Sequence, residues 1–293
     1  MLVSWIDEKA SLWDPFTEQK LHVAYHVHPI CSVAFNSDGA AILIGCYSDN
    51  TAYLWSTVTG ELLQEFSHSE TLFNIISVAC SPTNNTFLTA SSDGTLCLWD
   101  QRGQQLNTFK DIKAFTVTFS PNGKMFLAGT KKETLLMETK TGKLIQKLNG
   151  PSTRIVSALF SHDGRTILTH FQDTVSVWDT QTGTILTSFN DHKHGVSSLA
   201  WGPHENTLFI GSDDGTVSLY TRSSKADNWI NKRKDTARDL FLALKFSKEL
   251  LLKKENSSLV GYLREKSGDL QYLIQKSCAE QVVYDSISMC NVQ

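Results

Sequence analysis

Short apolar runs alternate with turn residues along the chain, and the clearest example lies at residues 86–100. Two runs rich in Thr, Phe, Leu and Trp, at 86–91 and 95–99, suit a pleated and packed surface. Asp93-Gly94 lies between them, and glycine tolerates the positive φ of a tight turn, so the pattern predicts a β-hairpin. Both faces of the second run are mostly apolar, so we expect protein to cover the hairpin on both sides.

The same pattern recurs at steps of about 38 to 44 residues. An aromatic residue closes each clear copy, and Met137 and Tyr262 take its place in two weaker ones. The aligned aromatic residues are Trp13, Trp55, Trp99, Trp178 and Tyr220. A second apolar marker precedes the later copies, at residues 32–35, 77–80, 116–119, 157–160, 198–201 and 243–246. A period of about 40 residues with about four strands per unit predicts a β-propeller.

These copies make the chain resemble the WD-repeat family over nearly its whole length. We therefore expect an all-β fold, a seven-bladed β-propeller of four-stranded antiparallel blades in which N- and C-terminal strands share one blade. The expected single domain spans residues 1–293. Its blades are placed near residues 1–27 plus 280–293, 28–70, 71–111, 112–150, 151–191, 192–236 and 237–278. An open propeller would leave unpaired strand edges, and the strand candidates at 282–284 and 287–292 would close it.

Three parts of the repeat are irregular. The first copy predicts three strands, and the first of them begins almost at Met1. The sequence therefore leaves open whether the chain is part of a longer protein. In the fourth blade, Thr130-Lys131-Lys132-Glu133 replaces the Asp-Gly turn. The run at 240–254 has a periodicity that a helix could also produce, but its position in the repeat favours strands.

Composition narrows the class of protein. With 293 residues and 41% apolar content, the chain can bury a large core. Its net charge of −3 argues against a dedicated polyanion binder and leaves a local basic patch open. Its six cysteines form no C-x-x-C motif, which favours reduced thiols and a cytoplasmic or nuclear location. No signal-peptide pattern opens the chain, and no run approaches the roughly 20 apolar residues of a membrane span.

The family resemblance implies a structural tetrad of His, Ser or Thr, Asp and Trp in some blades. A buried Asp needs partners, and a His that donates to it would pin two loops together. Matching positions are His26, Asp49 and Trp55 in one blade, His192, Asp214 and Tyr220 in another, and Asp93 with Trp99 in a third that has no assignable His. Because such pairs recur at blade spacing, we favour a structural role over a catalytic or metal-binding one.

No motif of a known catalytic site is present: H-E-x-x-H, a phosphate-binding glycine loop and a G-x-S-x-G elbow are all missing from the sequence. We therefore expect no enzymatic activity, no cofactor and no metal. A propeller enzyme with its site in the central channel is the third interpretation, which a screen for turnover would address.

The resemblance implies a protein-interaction scaffold, a monomeric propeller within a larger complex. In such propellers the loops before the inner strands and the hairpin turns converge on one face. The expected partner-binding residues are Asn74, Lys113, Phe115, Lys131, Arg154, Phe171 and Asp213. Their basic members favour an acidic or phosphorylated protein or peptide. For Phe115 and Phe171, inward packing stays open as the alternative.

The alternative function is an RNA-associated subunit that uses a basic loop at 222–239. Lys232-Arg233-Lys234 and Trp229 support it, whereas Asp227 and Asp235 dilute the charge and argue against nucleic acid. Steep loss of RNA affinity with salt would separate this interpretation from the scaffold.

Overall fold

The computed structural model describes residues 2–14, 17, 19–68, 73–150, 155–171, 173–190, 192, 195–202, 207–222 and 229–236. This part of the chain consists of strands, turns and loops and contains no helix. The strands form one three-stranded and five four-stranded sheets, each an antiparallel meander in chain order. The fold is therefore all-β and built from four-stranded sheets of the propeller type, as the repeat predicts. The described residues form no helix that is long and apolar enough to cross a membrane.

The chain divides into two compact units, residues 1–190 and 191–293. The first unit holds five sheets. The first comprises β1 (Leu2–Ile6), β2 (Lys9–Trp13) and β3 (Lys20–Tyr25). The second comprises β4 (Ile30–Phe35), β5 (Ala41–Cys46), β6 (Thr51–Ser56) and β7 (Leu62–Ser67). The third comprises β8 (Ile75–Cys80), β9 (Phe87–Ser91), β10 (Leu96–Trp99) and β11 (Gln105–Phe109). The fourth comprises β12 (Thr116–Phe119), β13 (Met125–Gly129), β14 (Glu133–Glu138) and β15 (Leu144–Asn149). The fifth comprises β16 (Ile155–Phe160), β17 (Thr166–Phe171), β18 (Thr174–Asp179) and β19 (Ile185–Phe189).

The second unit holds the sixth sheet. It comprises β20 (Val196–Trp201), β21 (Thr207–Ser212), β22 (Thr216–Arg222) and β23 (Trp229–Thr236). Strand β23 takes up residues 229–236 of the expected basic loop. The backbone of Arg233 pairs with that of Leu219, so Lys232-Arg233-Lys234 lies in an edge strand. The predicted seventh blade and the closing strands, residues 237–293, lie outside the described residues.

The predicted hairpin at Asp93-Gly94 is confirmed. Leu96 pairs with Ala90, and Gly94 has a φ of 89°, a conformation that a β-carbon would disfavour. The fourth sheet closes the same hairpin without an Asp-Gly pair, because Thr130 donates its backbone N–H and its hydroxyl to the carbonyl oxygen of Glu133 at 2.9 and 2.8 Å. Threonine chemistry thus replaces the glycine turn at this position.

The core of the first unit lies between successive sheets. Phe66 of β7 is fully buried there, with its ring centroid 5.3 Å from that of Phe87 and 5.7 Å from that of Trp99. Each outer strand of sheets two to five buries one large residue near its end in this way: Phe66, Phe109, Leu148 and Phe189. Burial of such a side chain contributes about 1.5–3 kcal/mol, so the outer strands help to hold the sheets in place.

The serine of the repeated apolar marker joins neighbouring inner strands. Ser32 Oγ accepts a hydrogen bond from the backbone N–H of Val78 at 3.0 Å, and Ser77 Oγ accepts one from Val117 at 3.1 Å. Both contacts are buried, and each connects one sheet to the next. At both positions a small hydroxyl therefore satisfies a buried N–H between neighbouring sheets.

Candidate functional site

In the second and third sheets the hairpin between the second and third strands lies beside the loop that enters the next sheet, and in the first sheet the hairpin between β1 and β2 takes this place. The backbone N–H groups of Ile30, Ile75 and Ile112 donate to hairpin carbonyl oxygens of the preceding sheet at 2.6, 3.1 and 2.8 Å. These bonds build a continuous surface in the first unit, which we call the turn face. It comprises residues 7–8, 26–29, 47–50, 73–74, 92–94, 110–115 and 130–132.

Beneath the turn face, the third sheet contains a chain of five hydrogen-bonded side chains, which we call the third-sheet relay. Trp99 Nε1 donates to Thr89 Oγ1 at 2.8 Å, and Thr89 Oγ1 is bonded to His68 Nε2. His68 Nδ1 contacts Thr95 Oγ1 at 3.1 Å, and the Thr95 hydroxyl donates to Asp93 Oδ1 at 2.7 Å. The relay connects the buried tryptophan to the carboxylate of the hairpin turn.

The carboxylate of Asp93 takes the hydroxyl proton of Thr95, so His68 donates from Nδ1 to Thr95. Burial lowers the pKa of His68 to about 4 despite the nearby Asp93, so the ring is neutral at pH 7. Its Nε2 then accepts a hydrogen bond from the Thr89 hydroxyl. Burial alone would raise the pKa of Asp93, but hydrogen bonds donated mainly by Thr95 bring that pKa below its usual value.

Sequence reasoning predicted Asp93 and Trp99 as relay members but missed the histidine. His68 lies twelve positions before Cys80, whereas His26 and His192 lie nine positions before their inner-strand markers. The longer loop hides His68 from a fixed count. Its signal is the position directly after the outer strand β7, which ends at Ser67.

The second sheet brings the predicted histidine and tryptophan together without the expected hydrogen bond to the carboxylate. The ring centroids of His26 and Trp55 are 5.6 Å apart. Asp49 Oδ2 instead accepts a bond from the Tyr53 hydroxyl at 2.6 Å, so the carboxylate acts on His26 through its charge and not through a hydrogen bond. Ile44 stands where the third sheet has Thr89, and no hydroxyl bridges the two rings.

Two buried polar atoms in the second sheet therefore remain unsatisfied. Within the described part of the chain, His26 Nε2 and Trp55 Nε1 have no hydrogen-bond partner. Burial lowers the pKa of His26, and Asp49 opposes that effect through its charge. The second sheet thus keeps the rings of the tetrad but has lost the group that connects them.

The sixth sheet uses a tyrosine in place of tryptophan. Its hydroxyl lies 3.2 Å from His192 Nε2, so His192 and Tyr220 meet as predicted. Asp214 accepts a hydrogen bond from the backbone N–H of Thr216 at 3.0 Å and another from the Thr216 hydroxyl, as Asp93 does from Thr95. The carboxylate therefore organises the hairpin turn in both sheets.

These polar clusters connect strands and turns within their sheets. In the third-sheet relay every member is engaged in a hydrogen bond to its neighbour, which leaves no group positioned as a free nucleophile or base. The described residues contain no group of three or more His, Cys, Asp or Glu side chains that could hold a metal ion. The arrangement supports the structural interpretation of these residues.

Among the predicted partner-binding residues, Asn74 has a clear structural role. Its Oδ1 accepts a hydrogen bond from the backbone N–H of Ser48 at 2.8 Å. Its own backbone exchanges hydrogen bonds with Ser92, to the Ser92 hydroxyl at 3.0 Å and from the Ser92 N–H at 2.9 Å. Asn74 therefore connects the hairpin turns of the second and third sheets.

The other predicted residues differ in exposure. Lys113 and Lys131 are exposed on the turn face, and Phe115 there is partly buried. Asp213 is exposed in the hairpin of the sixth sheet, which belongs to the second unit. Arg154 lies outside the described residues. The two exposed lysines belong to the third-to-fourth sheet part of the turn face.

Phe171 does not contribute to a binding surface. It is 1% exposed, so the expectation of contact with a partner is wrong and the inward-packing alternative is correct. Gly150 follows the outer strand β15, at the position that His68 takes after β7, and the Phe171 ring fills the space beside it. A β-carbon on Gly150 would lie 1.9 Å from the ring.

Three exposed apolar side chains on the turn face were missed by sequence reasoning. Val27 is 83% exposed, Tyr47 46% and Phe73 41%. Tyr47 directly follows the fully buried strand β5, and Phe73 directly precedes Asn74, so in the sequence each resembles an extension of an apolar segment. The available signal was their position beyond the strand ends, in the turns and loops of the repeat.

Comparison with known proteins identifies the repeat. Four segments, residues 19–56, 60–100, 142–179 and 183–221, match the family model described as "WD domain, G-beta repeat", and together they cover more than half of the chain. The chain is 30% identical over 215 residues to guanine nucleotide-binding protein subunit beta of Arabidopsis thaliana, covering 65% of this chain and 55% of the relative.

Other relatives are more distant. Pre-mRNA-processing factor 19 homolog 2 of Arabidopsis thaliana is 24% identical over 232 residues, covering 76% of this chain and 43% of its own length. GID complex subunit 7 of Schizosaccharomyces pombe is 24% identical over 178 residues, covering 57% and 34%. The matched region thus spans about half or less of these relatives.

Proposed function

Because the chain belongs to the WD-repeat family, we propose that it is a non-enzymatic scaffold that positions partner proteins or peptides on its turn face within a multiprotein complex. Proteins of this family are generally interaction scaffolds, and two relatives are named as subunits, one of a guanine nucleotide-binding protein and one of the GID complex. The observation that best supports this proposal is the turn face, whose exposed side chains belong to loops that are held by backbone hydrogen bonds. Loops ordered before binding lose less entropy when a partner binds.

The basic part of the turn face favours an acidic or phosphorylated partner segment. Lys110, Lys113, Lys131 and Lys132 are all exposed there. A β-carbon on Gly94 would lie 3.3 Å from the Lys113 side chain, so the stem of this lysine lies against the hairpin of the third sheet. Carboxylate and phosphate groups form strong, charge-assisted hydrogen bonds with such ammonium groups.

A charge-reversal experiment tests this function. The double variant Lys113→Glu with Lys131→Glu changes the turn face, whereas Lys124→Glu with Lys143→Glu changes exposed lysines in turns at the opposite end of the fourth sheet. Each tagged protein is purified with its partners and analysed by mass spectrometry after circular dichroism has confirmed the fold. We expect partners to be lost from the first variant only. An unchanged partner set in both variants would contradict binding at the basic part of the face.

For the architecture, we propose seven blades closed by the C-terminal segment, as a single propeller over residues 1–293. The support is the repeat period together with the three strands of the first sheet, β1 to β3, where a closing strand would complete the usual four. Deleting residues 280–293 should lower the melting temperature sharply, because it would leave open strand edges. An unchanged melting temperature would refute closure by this segment.

We place the protein in the cytoplasm or nucleus. The described cysteines, Cys31, Cys46, Cys80 and Cys97, are free thiols. Burial raises the pKa of Cys31 and of Cys46 to about 12 and that of Cys97 to about 11, so these thiols stay protonated and react slowly. Of these, Cys46 and Cys97 are buried and serve as small apolar groups.

A further inference from the structure

The first three sheets form a distinct part of the turn face, in which apolar and acidic side chains are adjacent. Val27, Tyr47 and Phe73 are exposed there, and Asp7 and Glu8 form the exposed hairpin turn of the first sheet. We call residues 7–8, 26–29, 47–50, 73–74 and 92–94 the acidic sector. Three exposed apolar side chains thus lie on neighbouring loops of one face, and an apolar group of this kind is typical of an interaction site.

Hydrogen bonds make the acidic sector continuous across the three sheets. The Asp7 carbonyl oxygen accepts from Ile30 N at 2.6 Å, and the carbonyl oxygen of the adjacent Pro29 accepts from Tyr47 N at 2.8 Å. The next residue, Ser48, donates to Asn74 Oδ1 at 2.8 Å, directly beside Phe73. Asp7, Tyr47 and Phe73 therefore project from loops that are linked to one another.

The charge of the acidic sector has one sign. Its residues include four carboxylates, Asp7, Glu8, Asp49 and Asp93, and no Lys or Arg. The ammonium group of Lys9, at the start of β2, lies 5.7 Å from the centre of the Tyr25 ring, so it is engaged with an aromatic face. Four lysines at 110, 113, 131 and 132 give the neighbouring part of the turn face the opposite sign.

We propose that the acidic sector binds a segment of a partner protein that carries a Lys or Arg side chain next to an apolar one. The carboxylates complement the cation, and the exposed tyrosine and phenylalanine accept the apolar side chain and the face of a guanidinium group. This rests on the scaffold function proposed above and adds the chemistry of a second partner site on the same face. The acidic sector and the basic part of the turn face carry opposite charges. A segment with a basic end and an acidic end would therefore cross the face in one direction only.

Peptide selection against the full-length chain tests the proposal. A phage library of random peptides is panned on the protein, and the enriched sequence is synthesised with a fluorescent label for anisotropy measurements. We expect enriched peptides to carry Lys or Arg beside an aromatic or branched apolar residue. The double variant Tyr47→Ala with Phe73→Ala should raise the Kd at least tenfold, because aromatic contacts dominate such interfaces.

A second variant separates charge from apolar contact. Asp7→Asn with Glu8→Gln should weaken binding at low salt and flatten its salt dependence, since screening acts only on charges that are present. The control Val58→Ala with Leu63→Ala removes exposed apolar side chains at the opposite end of the second sheet, one in the turn between β6 and β7 and one in β7. It should leave the Kd within twofold. Unchanged melting temperatures would show that these exposed positions do not affect folding.

The outcomes distinguish this inference from the scaffold function. Enrichment of acidic peptides, or of no peptide at all, overturns the assignment of a cationic partner. Peptides that depend on Lys113 and Lys131 but not on Tyr47 and Phe73 leave the scaffold function intact and overturn this site. Self-association that Tyr47→Ala abolishes in sedimentation experiments would replace the partner segment by a second copy of the chain. Loss of peptide binding in the control variant Val58→Ala with Leu63→Ala would likewise overturn binding at the acidic sector.

Discussion

Replacement of Thr89 by valine tests the third-sheet relay most directly. Valine has the shape of threonine without the hydroxyl, and Thr89 is fully buried. Its oxygen holds two bonds, one from Trp99 Nε1 at 2.8 Å and one to His68 Nε2. Thr89→Val therefore removes both bonds and leaves two buried ring nitrogens without a partner.

The expected cost follows from those two nitrogens. A buried polar group that loses its partner destabilises a protein by about 1–3 kcal/mol, so the loss of two partners should lower the free energy of unfolding by about 2–6 kcal/mol. Domains are commonly stable by only about 5–15 kcal/mol, so a loss of this size is readily measured. The control Thr89→Ser keeps the hydroxyl and removes one methyl group, at a cost of about 1 kcal/mol.

Urea unfolding followed by tryptophan fluorescence at neutral pH provides the assay, with the free energy extrapolated linearly to water. We expect Thr89→Val to be less stable than Thr89→Ser by at least about 1 kcal/mol. Equal stability of the two variants, or a more stable valine variant, would show that the hydroxyl contributes nothing and would refute the relay as a stabilising element.

The remaining predictions concern the same structural logic elsewhere in the first unit. In the second sheet, Ile44→Thr should be more stable than Ile44→Val in urea unfolding, because the new hydroxyl can satisfy His26 Nε2 and Trp55 Nε1; a more stable valine variant would contradict this. The folded pKa of His68, about 4, lies below the unfolded value near 6.5, so its stabilising effect is complete above pH 6.5 and is lost as the pH falls towards 4. Between pH 7.5 and pH 5 the wild type should lose about 2 kcal/mol more than His68→Gln, and equal losses would refute the assignment. Gly150→Ala should cost about 1–3 kcal/mol by overpacking against Phe171, and a second change, Phe171→Leu, should restore part of that loss.

The regular parts of the fold were predictable because they follow from local chemistry. The Asp93-Gly94 hairpin depends on two residues that suit a tight turn, and the strand pattern depends on an alternation visible within a few positions. The aromatic markers Trp55 and Trp99 likewise take corresponding positions in their sheets, opposite Ile42 and Phe87. A period repeated along the chain reinforces each of these local signals.

What sequence reasoning missed depends on contacts between distant positions. Phe171 resembles an exposed turn residue until Gly150, more than twenty positions earlier, is seen to leave room for its ring. His68 is hidden by a longer loop. The Tyr53 hydroxyl donates to Asp49, which a fixed spacing of His and Asp does not indicate, and Ile44 stands where the third sheet has the bridging Thr89. Which of two possible partners a polar group takes is decided by packing, and a spacing rule does not contain that information.

The relay and the acidic sector meet in one loop, which relates the stability of the third sheet to recognition. His68 begins the segment between β7 and β8, and its ring is bonded to Thr89 and Thr95 of the third sheet. Asn74 ends that segment and is bonded to Ser92 of the same sheet. Both ends of the segment are thus attached to the hairpin that carries Asp93, and Phe73 stands beside the second attachment. Because the pKa of His68 in the folded protein is about 4, this partly buried ring is neutral at physiological pH and can anchor the loop without adding positive charge beneath an acidic surface. His68 therefore stabilises the third sheet and leaves unchanged the negative charge with which the acidic sector would bind a cationic partner.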